Sequence, residues 1–328
     1  MDKRKLIIDC DTGTDDAVAI MALLLCERFE VLGITAVHGN QPVENTADNN
    51  LRLLDWLGFD VPVYQGCACA LVRGLSRGRE LNTRMQRIGR VVDGKEIKIH
   101  EKTLSLPAPH SRLQQKHACA FLVDTLRAAK EPVDIVALGP LTNLAVALRM
   151  APEIAGKIGT LCIMGGGLRM GNRTPVAEAN FYDDPEAAEI VLTSGAEILL
   201  NPIEANLAGA TCGPAEFDAM ERLGNETGRW TAGLLRDFVW RCQMLFSPEE
   251  TSCCIHDYAA AATLIDPATA TDVRREICRV DFSGGMADGQ LVIDRRGYDT
   301  ADSTVRVVYD MDAEKTKKLL LDLLKKAK

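Results

Sequence analysis

Short apolar runs alternate with amphipathic runs along most of this chain, and that alternation admits few folds. Residues 5–10 read as a strand that passes through Asp11–Thr14 into a helical stretch over residues 15–25. Residues 30–37 are the next strand, 43–57 the next helix and 61–64 a short strand. Residues 133–138 read as a buried strand, followed by Gly139-Pro140 and a helix through Arg149. Residues 160–164 form a further strand closed by Gly165-Gly166-Gly167, with a helix over 185–192 and a strand over 197–200. Strands and helices in this order predict an α/β fold, a mostly parallel sheet of the open Rossmann type with helices on both faces. The order of the strands is not written in the pattern.

Two stretches break the rhythm. Residues 71–110 are polar and rich in Arg, Gly and Pro; from Arg73 to Lys98 six Arg and two Lys face Glu80, Asp93 and Glu96. Such a segment is either a solvated excursion or a lid over a ligand site, since long loops in compact domains are often functional. Residues 283–309 read as a small extra β element, a hairpin beside the main sheet. The tail, residues 314–326, reads as a basic amphipathic helix packed on the surface. With no internal repeat and no linker, residues 1–328 are expected to form a single domain.

Composition narrows the function. A formal net charge of −8 opposes nucleic acid or an anionic membrane as partner and favours a small neutral or cationic ligand. The longest apolar runs, such as residues 17–25, fall short of a membrane span. The chain enters its first strand at once, without the apolar region of a secretory signal, so a cytoplasmic protein is expected. The cysteines number eleven, which is odd, and are scattered. Cys67/Cys69 and Cys253/Cys254 are spaced too tightly for a zinc pair with a two-residue gap. Cys10, Cys26 and Cys162 sit in apolar runs, where a thiol behaves as a small hydrophobe, so the thiols are expected to be reduced core residues.

The chemistry is concentrated in Asp9-Cys10-Asp11-Thr12-Gly13-Thr14-Asp15-Asp16, four carboxylates in eight residues where the first strand ends. Open α/β sheets bind ligands at that end. One such acid is commonly a helix cap or a solvated turn residue. Four converging would repel one another without a cation, and an all-oxygen set suits calcium or magnesium rather than zinc. Competing motifs fail. No glycine-rich dinucleotide fingerprint follows the first strand, and residues 89–95 match phosphate-loop spacing with Glu96 in place of the required hydroxyl.

The run Ile7-Ile8-Asp9-Cys10-Asp11-Thr12-Gly13-Thr14-Asp15-Asp16-Ala17 resembles the N-terminal signature of the inosine–uridine-preferring nucleoside hydrolases. Further blocks follow in that family's order: Val37-His38-Gly39-Asn40, Leu138-Gly139-Pro140-Leu141-Thr142-Asn143, Met164-Gly165-Gly166, Asn172 through Asn180, Asp184-Pro185-Glu186-Ala187-Ala188 and Ile255-His256-Asp257. The resemblance implies hydrolysis of the N-glycosidic bond of ribonucleosides to ribose and a free purine or pyrimidine base. It implies a calcium ion held by Asp11, Asp16, the Leu138 carbonyl and Asp257, with Asp11 as general base toward water. It places Asp15, Asn40, Glu178 and Asn180 on ribose hydroxyls, Met164 and Asn172 along the sugar pocket, and Asp257 against the sugar as well as the metal. His256 matches a histidine proposed to protonate the leaving base. A homodimer or homotetramer is expected.

The pattern also departs from the family. His100 stands where the family carries a histidine, but the glycine that usually accompanies it is missing, and residues 246–254 lack the glycine usual before His256. Both stretches would face the base. Taken singly, Asn40 could be a turn residue, Glu178 a surface acid and His256 a structural histidine or cap. Two rival classes remain on the residues alone. Asp9-x-Asp11 after a strand also resembles the acid pair of haloacid-dehalogenase-type phosphatases, although no Gly-Asp dipeptide follows. A noncatalytic nucleoside binder would need the sugar contacts and no base.

Overall fold

The computed structural model describes residues 3–76, 79, 89–92, 94–297 and 299–327. Its centre is an eight-stranded sheet built from β1 (Arg4–Cys10), β2 (Phe29–Ala36), β3 (Val63–Gln65), β4 (Val133–Ala137), β5 (Ile158–Met164), β6 (Ile198–Asn201), β7 (Ala270–Arg275) and β8 (Val305–Met311). The order across the sheet is β7-β8-β6-β5-β4-β1-β2-β3. All neighbours are parallel except β7, which runs antiparallel to β8 at the edge. The α/β expectation holds.

Helices cover both faces. They are α1 (Thr14–Leu25), α2 (Val43–Leu57), α3 (Ala118–Ala128), α4 (Thr142–Met150), α5 (Ala179–Asp183), α6 (Pro185–Leu192), α7 (Ile203–Ala210), α8 (Pro214–Glu221), α9 (Glu226–Leu245), α10 (His256–Ile265) and α11 (Ala313–Leu324). One apolar cluster joins alternate residues of β1 (Leu6, Ile8, Cys10) to α1, α10 and α11. A second joins Ile7 and the opposite face of the central strands to α3, α4 and α6. The two-residue period of a strand sends neighbours to opposite cores, which is why β1 is apolar throughout.

Sequence rules set most boundaries. Gly58 ends α2 in the left-handed conformation, φ 73°, as a residue without a Cβ does readily. Asp184 caps α6 at the Ala187 N–H, 3.1 Å, and Pro185 follows at the first helical position.

Residues 283–309 correct the sequence reading. They do not form a hairpin. Leu291–Ile293 pairs with Cys278–Val280 in a separate two-stranded sheet, while β8 enters the main sheet between β6 and β7. Its apolar residues Val305, Val307 and Val308 are buried there. Part of the Arg-rich segment is anchored, while Val72, Leu75 and Val91 are exposed. Arg73 and Arg79 reach the buried Asp288 at 2.7 and 3.0 Å. Residues 77–78, 80–88 and 93 of the proposed lid lie outside the described residues. No helix among those described is long and apolar enough to cross a membrane.

Candidate active site

The strand β1 lies between β2 and β4, so successive crossovers leave it in opposite directions. This is the switch point at which open α/β sheets form a crevice. Asp9 is opposite Thr35 of β2 and Ala137 of β4. Its Oδ1 accepts from Thr35 Oγ1 (2.5 Å) and Asn143 Nδ2 (2.8 Å). Asp9 is therefore a wholly buried support beneath the crevice, raised to about 7 by burial against those two hydrogen bonds.

Asp11 stands at the mouth. Its Oδ2 accepts the Asn40 backbone N–H at 2.6 Å, while its Oδ1 is buried with no protein partner. The glycines beside it are required by space. A Cβ on Gly39 would come 2.1 Å from Asp11 Oδ2, and one on Gly139 would come 2.7 Å from Oδ1. Asp16, fully buried, accepts from the Asp11 N–H (3.2 Å), the Gly13 N–H (2.9 Å) and Asn40 Nδ2 (3.2 Å). It thus ties the strand end to the start of α1 and Asn40.

Asp15, Asp16 and Asp257 bring carboxylate oxygens within 4.8 Å of one another. Asp257 arrives from the first turn of α10, some 240 residues along the chain. Burial, followed by mutual repulsion, pushes Asp11 and Asp257 well above the ordinary carboxylate range. Asp15 and Asp16 rise to about 6, chiefly through burial. Acids in this condition are short of positive charge. The unpartnered Asp11 Oδ1 and Asp15 Oδ1, with an all-oxygen donor set, fit a hard divalent cation.

The Leu138 carbonyl, at the end of β4, accepts from Asn180 Nδ2 at 2.7 Å, and that nitrogen also meets the Met164 carbonyl at 3.1 Å. One amide therefore joins the ends of β4 and β5 to α5. Glu178 is buried, not a surface acid. Its Oε2 accepts the Gly166 N–H (3.0 Å) and its Oε1 the Asn180 N–H (2.9 Å), and burial raises it to about 7. Asn172 is exposed, with Oδ1 on the Ala179 N–H at 2.9 Å.

Two histidines lie beside the acids. His256 opens α10, and its Nδ1 lies 3.4 Å from Cys254 Sγ. His100 comes from the polar excursion, accepts the Thr14 N–H at Nδ1 (3.4 Å) and packs against Phe238 of α9. Burial lowers both to about 4, so both rings are neutral at pH 7.

Sequence reasoning missed the supports. Asn143 bonds Asp9, the Ala36 carbonyl and the Cys67 N–H. Asn49 and Asn50, buried in α2, hold the Thr12 carbonyl (2.9 Å) and hydroxyl (2.7 Å). The signal available was two adjacent polar residues on the inward side of an amphipathic helix.

A cradle of carboxylates at the switch point of a parallel sheet, with carboxylate oxygens of Asp11 and Asp15 left unengaged, is the equipment of a hydrolase that works on a small ligand. The chain belongs to the inosine-uridine preferring nucleoside hydrolases, whose sequence profile matches residues 6–318. It is accordingly an enzyme that hydrolyses the N-glycosidic bond of ribonucleosides. A pyrimidine-specific ribonucleoside hydrolase, RihB, of Escherichia coli (strain SE11) is 34% identical over 324 residues, 95% of each chain. The purine-preferring ribonucleoside hydrolase from Gardnerella vaginalis shares the fold with a TM-score of 0.83 at 26% identity, over 98% of this chain and 99% of that one. A plant nucleoside hydrolase, PpNRh1, superimposes with a TM-score of 0.84 at 28% identity over 99% of both.

Proposed function

We propose that Asp11, Asp16, Asp257 and the Leu138 carbonyl hold one calcium ion and that Asp11 is the general base of the reaction. The observation that carries this reading is the pair of carboxylate oxygens, on Asp11 and Asp15, buried without partners beside acids that repel one another. When bound, the ion offsets that repulsion and acidifies a water molecule at the sugar. Asp11 takes a proton from the attacking water at Oδ1, the oxygen the protein leaves unpartnered. The water oxygen bonds to the ribose C1′, the bond from C1′ to the base nitrogen breaks, and its electron pair leaves with the base. Positive charge grows on the sugar as this happens, and the surrounding carboxylates favour it.

Asp15, Asn40, Glu178, Asn180 and Asp257 orient the ribose through its hydroxyls, with Met164 and Asn172 along the pocket. His256 gives its proton to the departing base from the imidazolium form, returning to the neutral ring; burial lowers it to about 4, so that form is scarce at pH 7 and strongly acidic. Calcium rather than zinc is supported by the donors, which are all oxygen. The family relatives named above split between purine and pyrimidine preference, and the stretches around His100 and over residues 246–254 lack glycines usual in the family. We infer broad base acceptance with strict dependence on the ribose hydroxyls. A cytoplasmic homodimer or homotetramer is the form we assign, the eleven free thiols favouring a reducing compartment.

The experiment is a panel of common ribonucleosides, their 2′-deoxy forms and nitrophenyl riboside, assayed for release of ribose or nitrophenol. Ribonucleosides should be cleaved and deoxynucleosides slowed by roughly 10⁴-fold, since sites built around a hydroxyl leave buried polar groups unpaired without it. Equal rates on the two sets would refute the ribose assignments.

A further inference from the structure

Apart from the oxygen-lined crevice, three soft ligands meet where the chain leaves β3 and enters α3. Cys67 follows the strand closely; His117 and Cys119 begin the helix. A sulfur from each cysteine and a ring nitrogen of His117 all lie within 4.8 Å of one another. The sulfurs are 3.8 Å apart. Two thiolates on a tetrahedral zinc, each at about 2.3 Å, stand about 3.8 Å from one another, whereas a disulfide requires about 2.0 Å. The cysteines are spaced as one edge of such a tetrahedron.

The surroundings hold that spacing. Tyr64 of β3 stacks on Phe121 of α3 with centroids 3.9 Å apart and planes 14° from parallel. The Cys67 N–H is fixed on Asn143 Oδ1 at 2.8 Å. Access is open from one side, since His117 is exposed and Cys67 only partly buried. His117 Nδ1 now accepts the Cys119 N–H at 3.2 Å as the cap of α3, a bond that an ion taken at this nitrogen would replace. The hydrogen bond between the sulfurs lowers the Cys67 thiol and raises that of Cys119, the behaviour of two thiols that share a proton.

We propose that Cys67, Cys119 and His117 form a binding site for a thiophilic divalent cation of the zinc class, distinct from the carboxylate cradle. Two thiolates and a neutral imidazole balance the charge of the ion, and water fills the fourth position. Binding releases the thiol protons to solvent. Hard and soft donors sort the cations, so calcium and zinc occupy different places in one chain. The ion would clip the end of β3 to the start of α3. Asn143 bonds both Cys67 and Asp9, so this clip lies one amide away from the floor of the crevice.

The test titrates calcium-loaded, reduced protein with Co²⁺ and follows the thiolate-to-cobalt charge-transfer absorbance and the visible bands of tetrahedral cobalt. Wild type should saturate at roughly one equivalent, and zinc should abolish the spectrum. Cys67→Ser and His117→Ala should each weaken cobalt binding by at least ~10-fold, and Cys67→Ser should also diminish the charge-transfer band. His117 is exposed, so its substitution keeps the test valid if a cysteine variant misfolds. An absent thiolate band in wild type would overturn the proposal. So would a band of full strength and affinity in both variants, which would assign the ion to other cysteines.

Discussion

The backbone N–H of Asn40 donates to Asp11 Oδ2 at 2.6 Å, and the other oxygen of that carboxylate is buried with no protein partner. The loop after β2 therefore aims the acid, and does so through a main-chain group that every residue but proline would supply at position 40. Position 39 is another matter. A Cβ there would sit 2.1 Å from Oδ2, so Gly39→Ala must displace either the loop or the carboxylate. A misplacement of about an ångström costs on the order of 10²-fold in rate. Steady-state turnover of a folded Gly39→Ala protein should fall by about that factor; wild-type turnover would show that Asp11 is not held in this way.

Cation removal should abolish activity, because Asp11 and Asp257 are left as buried acids above their ordinary range and tend to take up protons. Returning calcium should restore turnover and, in weakly buffered solution near neutrality, release protons that a pH indicator detects. Full activity after exhaustive chelation would eliminate the metal reading.

The frame of the crevice was legible in the sequence wherever structure is local. Residues 43–57 and 185–192 are helices with the expected limits because periodicity and caps act within a few residues, as Gly58 and Asp184-Pro185 do. The acid run announced the cradle, since four carboxylates at a strand end have few other uses. Non-local pairings left no such mark. Nothing within residues 305–311 says that the strand will lie parallel to β6 rather than fold back on its predecessor. A single Asn in α4 does not reveal that it supports an aspartate 134 residues away. His100 was marked only by the family resemblance, since it is carried by a polar excursion whose sequence reads as loop.

His100 gives a pH signature. Burial holds the folded ring at about 4, against an ordinary 6.5, with Asp16 opposing the shift and Arg173 and Arg241 adding to it. The unfolded chain thus binds the proton first as pH falls. Stability from this group is present above about 6.5 and is lost between 6.5 and 4. His100→Gln should flatten the fall in denaturation midpoint across that window. A slope identical to wild type would mean that the ring titrates normally in the folded protein.

If His256 supplies the leaving-group proton, His256→Ala should slow ordinary nucleosides by about 10²–10⁴-fold and spare nitrophenyl riboside, whose leaving group needs no proton. A uniform loss on every substrate would reduce His256 to a structural neighbour of Asp257.

The central claim is most directly tested by Asp11→Asn, purified with calcium and examined for both metal content and turnover. The amide keeps the shape and one oxygen of the side chain but cannot accept the proton. The account predicts a folded protein that still binds calcium, with turnover lower by about 10²–10⁴-fold. Wild-type turnover at normal metal content would contradict it.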